Sequence, residues 1–412
     1  MVALTPEGKE SLDAFIKSIG QDGKLPAFVA GATTANGEIY FNASGKKIVN
    51  DDASGDVDPD SVFWICSMTK MLTHITALQL IDAGKLDPET PVADILPQMS
   101  NPVVVEDDTV DPPKVVGAAK NILRVKHLLN FTSGAYPPVR AHFGTMLSEP
   151  HCREYGMEDY HTEFFKSLKA SLPVVPLKHE PGTNWNYGFS ADILGFVVEK
   201  VTGQTLDAVM QKNIFAPLEV QGSFYLQEEL KEKVLPIAYR RPTDGNLEPF
   251  ASQTGTRILT QDPAKVACMG GVGLYMSLRN YLTILRHLLQ IVEGKATNPI
   301  LKLETVKNMF EPALPEQGAQ TLNAFVAGSG APPGMSWSIG AMMVSTQDWE
   351  GRKKAGSAQW GGWLGMNFWI DPTTGIAGVS GVQLLAATGG IRDTEFVKAV
   401  VTFEEKVYAA LK

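Results

Sequence analysis

Apolar positions recur at helical spacing near both ends of the chain. Leu12, Phe15, Ile16 and Ile19 share one face of an opening helix, with Thr5 as its N-cap and Pro6 at its first helical position. Phe396, Val400, Phe403 and Val407 form a matching stripe at the other end. The two stripes predict terminal helices packed on each other. After the first helix, residues 27 to 34 are small and β-compatible, and Asn36-Gly37 precedes Glu38-Ile39-Tyr40-Phe41, which is a hairpin pattern. Residues 50 to 60 are acidic and interrupted by Gly and Pro, a solvated connector at which a boundary is expected. Helical periodicity dominates residues 67 to 210, with Met71, Ile75, Leu78 and Ile81 in one run and Ile193, Phe196, Val197 and Val201 in another. Short β-like runs then return at 338 to 344, 367 to 370 and 376 to 384. Residues 101 to 120 and 135 to 181 read as long irregular stretches, the second rich in aromatic residues and histidines and a candidate binding wall. The expected fold is α+β. A discontinuous α/β domain from residues 1–60 and 265–412 embraces a mostly helical domain, 61–264, with long loops.

Composition narrows the function classes. The 412 residues are 44% hydrophobic and 20% charged, which suits two or three compact units and gives no disorder signature. With 36 Lys+Arg against 45 Asp+Glu the net charge is -9, so nucleic acid and anionic membrane are poor partners. Cys66, Cys152 and Cys268 are odd in number and far apart, which argues against a disulfide framework or a cysteine zinc site. No basic start precedes an apolar run, and no apolar stretch reaches about 18 residues. A cytoplasmic protein with no signal peptide, no membrane span and no obligate protein partner is therefore expected.

Ser67-Met68-Thr69-Lys70 opens a helical run as S-x-x-K. Residues three apart on a helix are surface neighbours, with about 5–6 Å between their Cβ atoms, so the amine reaches the hydroxyl. Burial and a helix N-terminus both disfavour an ammonium ion and leave an amine able to take the serine proton. Ser44-Gly45-Lys46-Lys47 has the same spacing but follows a strand in a polar turn, and reads as solvated. His74 shares the face of Ser67 but sits about 10 Å along the axis, too far to be its base. G-x-S-x-G and H-E-x-x-H are both absent, and the seven histidines show no metal-ligand spacing.

Pro181-Gly182-Thr183-Asn184-Trp185-Asn186-Tyr187-Gly188 delivers a tyrosine just before a helix starting near Ser190. Its phenol is either a proton relay beside a cation or a core group capping a turn. Gln359-Trp360-Gly361-Gly362-Trp363 ends a β-like run in small residues. Such an edge either offers a backbone N–H to a developing oxyanion or is a bulge.

Taken together, these segments resemble the serine β-lactamase and penicillin-binding-protein superfamily. Within it the chain is similar to the family VIII carboxylesterases and to fungal acyltransferases of statin side-chain formation. Further blocks carry the resemblance along nearly the whole chain: residues 78–97, 125–134 (VKHLLNFTSG), 192–206, Gly270-Gly271-Val272-Gly273-Leu274 and 358–372. It implies a β-lactamase/DD-peptidase-like fold, with an antiparallel sheet flanked by the terminal helices and the active site facing the helical domain. Ser67 is then the nucleophile, Lys70 its base partner and Tyr187 the third catalytic residue. The N–H groups of Ser67 and Trp363 would form the oxyanion hole.

Three departures bear on substrate. Trp360-Gly361-Gly362 stands where lactamases carry K-T-G, Tyr187-Gly188-Phe189 where they carry Y-x-N, and Phe131 where relatives commonly have histidine. The implied site is apolar, lined by Trp360, Gly361, Gly362, Trp185, Phe189 and Tyr136, and suits an ester more than a charged lactam. The expectation is a serine carboxylesterase without metal or cofactor, acting on a small-molecule ester through an acyl-Ser67 intermediate. Acyl transfer to a natural-product alcohol is the neighbouring reading. A β-lactamase and a non-catalytic binding protein of penicillin-binding type are the remaining ones.

Overall fold

Every residue of the strand β1 (Phe28–Thr34) is buried, so both of its faces must be covered. The computed structural model shows what covers them, describing residues 2–110, 112–136, 151, 154–156, 158–169, 171–250, 264–327, 331–386 and 393–412. β1 pairs with β2 (Gly37–Ser44) across the Asn36-Gly37 turn. Five strands from the far end of the chain complete one antiparallel sheet: β3 (Met335–Trp337), β4 (Met343–Ser345), β5 (Ala358–Gly362), β6 (Met366–Asp371) and β7 (Ile376–Gly381). The order is β3-β4-β5-β6-β7-β1-β2, with Val29 opposite Gly381 in the β1/β7 register. Sequence-distant segments thus share one ladder.

The strand period sorts side chains to the two faces. Phe28, Ala30 and Ala32 join Trp369 and Ile376 in a core closed by the terminal helices α1 (Pro6–Asp22) and α7 (Thr394–Ala409), through Leu12, Ile16, Phe403 and Val407. Thr5 caps α1 as expected, accepting from the Gly8 N–H at 3.0 Å. On the other face Val29, Phe368 and Val379 belong to the larger core together with α5 (Leu278–Val292). That core also holds α2 (Thr69–Asp82), α3 (Tyr160–Lys169) and α4 (Ser190–Thr202). A further helix, α6 (Glu316–Val326), precedes β3. Among the described residues no helix is long and apolar enough to cross a membrane.

Three expectations are corrected. Residues 101 to 120 are not irregular: Val103–Asp107 and Lys114–Ala118 pair as an antiparallel hairpin. Its alternation is masked because Val115 and Val116 are both exposed. The stretch 135 to 181 contains α3, whose Phe164, Phe165 and Leu168 are buried at helical spacing and whose His161 lies 2.7 Å from Glu199 on α4. Residues 338 to 344 do not form one strand: only the last two belong to β4. They are mostly the turn between β3 and β4, where Ala341 has φ of 55° and Ser338 N–H donates to Met342 O. Cys66 and Cys268 are buried free thiols, and Cys152 lies outside the described residues.

Unlike the amphipathic terminal helices, α2 is buried nearly all round, its polar Thr69, Lys70, Thr73, His74 and Thr76 included. Each needs a partner inside the protein. His74 Nδ1 lies 2.8 Å from Ile339 O and must donate, because a carbonyl only accepts. Its ring stacks on Phe131 at 5.7 Å. Burial lowers its pKa to about 4, with the charge on Lys70 adding to the fall and the Ile339 carbonyl opposing it.

The unfolded chain takes up this proton near pH 6.5 and the folded chain only near 4, so stability falls as pH drops through that window. Between pH 7.5 and 5 the cost from His74 is about 2 kcal/mol. His74→Gln keeps a donor for Ile339 and is expected to lose about 2 kcal/mol less over that range. His127, His179 and His287 are shifted the same way and leave a residual slope. Urea unfolding at both pH values measures the difference; equal losses in the two proteins would refute it.

Candidate active site

The strand Val62–Trp64 runs straight into the turn that carries Ser67. Cys66, just before it, has φ of 49°, a left-handed conformation that costs a non-glycine residue of order 1 kcal/mol or more. Surrounding bonds hold it there: Tyr281 Oη donates to Met68 O at 3.1 Å and Trp64 Nε1 donates to Val272 O at 2.6 Å. Burial pushes the Cys66 thiol up to about 12, so it packs as a neutral group. The strained turn projects the next side chain, Ser67, outward while Cys66 and Met68 are buried.

Lys70 lies one turn along, only 3% exposed. Its Nζ is 3.1 Å from Ser67 Oγ and 2.7 Å from Gly271 O. The Gly270–Leu274 block is stitched to the same helix, with Thr73 Oγ1 donating to Gly270 O at 2.8 Å and Leu274 N–H donating to Thr69 Oγ1 at 3.1 Å. Among the described residues Lys70 makes no ion pair, so no salt bridge holds its proton in place.

Tyr187 arrives from the turn ahead of α4. That turn is fastened to residues 131–135: Asn186 N–H donates to Phe131 O and Asn186 Nδ2 to Ala135 O at 3.0 Å. Tyr187 Oη is 2.8 Å from Ser67 Oγ, and its ring lies 4.8 Å from Lys70 Nζ. The serine oxygen thus sits between an amine and a phenol, both within proton-transfer distance. Lys47, three residues after Ser44, is exposed at the surface, so that S-x-x-K match is a solvated turn as expected.

β5 closes the other side. An ideal Cβ on Gly362 would lie 2.8 Å from Ile65 O and 3.4 Å from Cys66 Cβ, so a side chain here would push the strand off the nucleophile turn. Gly361 precedes it on the same strand, and the Trp363 ring meets Trp64 edge-on at 6.4 Å. Trp360 does more than line the site: its indole N–H donates to Tyr187 Oη at 3.2 Å. The phenol oxygen therefore accepts one hydrogen bond while facing the serine.

Around Tyr187 the aromatic rings form a continuous wall. Trp360 lies at 5.3 Å and Phe325 at 5.8 Å from its ring centre, Trp337 packs on Trp360 at 4.6 Å, and Trp185 touches Trp337 and Phe325. Phe325 on α6 is exposed, an open apolar surface against the tyrosine. Trp337 and Phe325 had not stood out in the sequence. Trp337 is one apolar residue in a short strand, and only the exposure of Phe325 marks it.

One expected wall residue lies elsewhere. Phe189 is buried against Phe164 at 5.6 Å and His151 at 5.0 Å, in the helical core behind the site. Tyr136 is buried with the Lys178 ammonium 5.1 Å from its ring, and precedes a segment outside the described residues. Phe131 is sandwiched between His74 and Tyr187, a packing position with no proton to give. Among the described residues no group of His, Cys, Asp and Glu is arranged to hold a metal ion.

Comparison with known proteins identifies the family. The lovastatin esterase of Penicillium rubens is 28% identical over 399 residues, covering 92% of this chain and 94% of that protein. The monacolin J acid methylbutanoyltransferase of Aspergillus terreus is 27% identical, covering 96% and 94%. In fold, a mutant of the simvastatin synthase of Aspergillus terreus superposes with a TM-score of 0.79 at 24% identity, covering 98% of this chain and 95% of that one. The family model described as Beta-lactamase matches residues 12–398. The chain belongs to the β-lactamase family, with its β-lactamase and penicillin-binding-protein fold.

Proposed function

We propose that this chain is a serine carboxylesterase of the family VIII type. The observation that carries the reading is Ser67 Oγ held 3.1 Å from Lys70 Nζ and 2.8 Å from Tyr187 Oη. Ser67 Oγ attacks the ester carbonyl as its proton passes to the Lys70 amine. The carbonyl electron pair moves onto oxygen, opposite the N–H groups of Ser67 and Trp363. Tyr187 hands a proton to the departing alcohol oxygen and recovers one from the ammonium ion formed on Lys70. The same groups then run in reverse: water gives up a proton, its oxygen attacks the acyl-Ser67 carbonyl, and the carboxylic acid leaves. Trp360 supports the phenol in this exchange by donating to its oxygen.

Acyl transfer is a second reading of the same intermediate, with an alcohol in place of water. The exposed Phe325 beside Tyr187 favours it, since an apolar surface at the mouth of the site would hold a bulky alcohol and displace water. The fungal relatives, by their names an esterase of lovastatin and a methylbutanoyltransferase of monacolin J acid, divide along the same line.

Ser67→Ala is expected to abolish both hydrolysis of p-nitrophenyl esters and labelling by a fluorophosphonate probe with an unchanged fold. Turnover that survives it would remove the nucleophile assignment. Trp360→Phe keeps the ring but loses the N–H on Tyr187. It should lower kcat about tenfold, the worth of one hydrogen bond near 1.4 kcal/mol, with KM little changed. A rise in KM at constant kcat would make Trp360 a binding residue only.

Substrate choice gives a further outcome. Trp360 stands where a lactamase carries a cation for the substrate carboxylate, so short p-nitrophenyl esters should exceed nitrocefin in kcat/KM by at least about tenfold. Equal efficiencies would overturn the esterase reading in favour of a lactamase. Product analysis with an added bulky alcohol separates the two ester readings. Ester product exceeding free acid selects transfer, and free acid alone selects hydrolysis.

A further inference from the structure

Gly270-Gly271-Val272-Gly273-Leu274 stood out in the sequence, and the reaction above uses only its Gly271 carbonyl, as an anchor for Lys70. The opposite side of the same residue is equally constrained. Gly271 N–H donates to Asp192 Oδ1 at 2.9 Å, and an ideal Cβ on Gly271 would fall 2.6 Å from Asp192 Oδ2. Asp192 lies in the first turn of α4, five residues beyond Tyr187, and is 1% exposed. Its second oxygen is 3.1 Å from His151 Nε2, and the His151 ring stands edge-on to Phe189. A buried carboxylate is costly unless hydrogen-bonded and paired, and this one is linked to the amine through a single residue, Gly271.

We infer that Asp192 is a positioning residue for Lys70, acting through Gly271, and that its charge, moderated by His151, sets the pH range over which the lysine works. This rests on the reading of Lys70 as the base.

The geometry separates two contributions. The bond from Gly271 N–H to Asp192 anchors Gly271 on the side opposite its carbonyl, and that carbonyl accepts from Lys70 Nζ and holds the amine beside Ser67 Oγ. The negative charge acts on the amine independently, because an anion nearby favours an ammonium ion. Burial alone would raise the carboxyl of Asp192. His151, Lys70 and the Gly271 N–H outweigh it and hold the group below its ordinary value, so the anion persists over the working range.

The other titratable groups facing this cluster are Cys66 and His74 from the α2 side and Tyr187 from its turn. Burial holds Cys66 and His74 in their neutral forms near neutral pH. Tyr187 is already bonded to Ser67 and Trp360. Asp192, bonded to His151, is left as the charge opposite Lys70.

The signs follow. Asp192→Asn still offers an oxygen to Gly271 N–H but carries no charge, so the free amine forms at lower pH. The acid limb of kcat/KM should move down by about one pH unit or more. His151→Ala removes the donor that moderates the carboxylate, strengthens its hold on the ammonium ion, and should move the limb up. A carboxylate that serves only packing would lower stability and leave both limbs where they are.

The test is the pH profile of kcat/KM for p-nitrophenyl butyrate hydrolysis, from pH 5 to 10, in the wild-type protein, Asp192→Asn, His151→Ala and Lys70→Ala. Opposite shifts in the first two variants support the inference. An acid limb present in the wild type and unmoved in both, or moved the same way in both, overturns it while leaving the lysine base intact. No acid limb in the wild type, or near-normal activity in Lys70→Ala, overturns the base reading and this inference together. If Asp192→Asn does not fold, His151→Ala decides alone: an upward shift supports the inference and an unmoved limb overturns it.

Discussion

The constraint on which the rest of this structure depends is a lysine amine kept out of water without an ion pair. A buried ammonium ion is costly, so the surroundings must either pair it or favour the free amine. Here the groups touching the amine are a hydroxyl and a carbonyl, and the Asp192 carboxylate is linked to it through Gly271. Holding them fixed takes three pieces of chain. The strained Cys66 turn supplies the hydroxyl, the Gly270–Leu274 block supplies the carbonyl, and α4 supplies the carboxylate. That explains why α2, an element at the centre of the protein, buries threonines and a histidine on faces a simple amphipathic helix would leave wet. Thr69 and Thr73 spend their side chains on the glycine block, and His74 spends its proton on Ile339.

Trp360 shows how an apolar replacement changes the chemistry without emptying the site. A cation at this strand position would offer a partner to a substrate carboxylate. The indole directs its one donor at Tyr187 Oη and gives its ring to the wall formed with Trp337, Trp185 and Phe325. The donor now serves the enzyme's own phenol rather than the ligand's charge. Substrate recognition is correspondingly shifted toward apolar contact area, which tolerates varied shapes better than a fixed ion pair does.

What was legible in the sequence follows from the same physics. Ser67, Lys70 and Tyr187 could be picked out because their chemistry depends on local spacing and on a turn with a recognisable composition. The terminal helices and the first hairpin were legible because period and turn residues agree over many positions. The hairpin at 103–118 was not, since its exposed valines and the acidic, proline-containing segment between its strands hide the period. Helix α3 was hidden because His161 and Tyr160 look like surface residues until Glu199 is brought to them from α4. Phe189 reads as a pocket residue by its distance from Tyr187, yet the helix start turns it into the core. Asp192 had no signal at all: an acidic residue in a first helical turn is ordinary, and its meaning comes from a glycine 79 positions away.

Two glycines set how closely the site can close. Gly362 lets β5 approach the turn that carries Ser67, and Gly271 lets its segment approach α4 and the lysine. In both cases the obstructing neighbour is fixed: a backbone oxygen at Ile65 in the first, and a carboxylate bonded to Gly271 itself in the second. A flexible neighbour could give way to a methyl group, whereas these would have to move the strand or break the bond. The absence of a side chain is therefore part of the catalytic geometry. The amine and the phenol each come within about 3 Å of the serine oxygen because the backbones on either side have nothing between them.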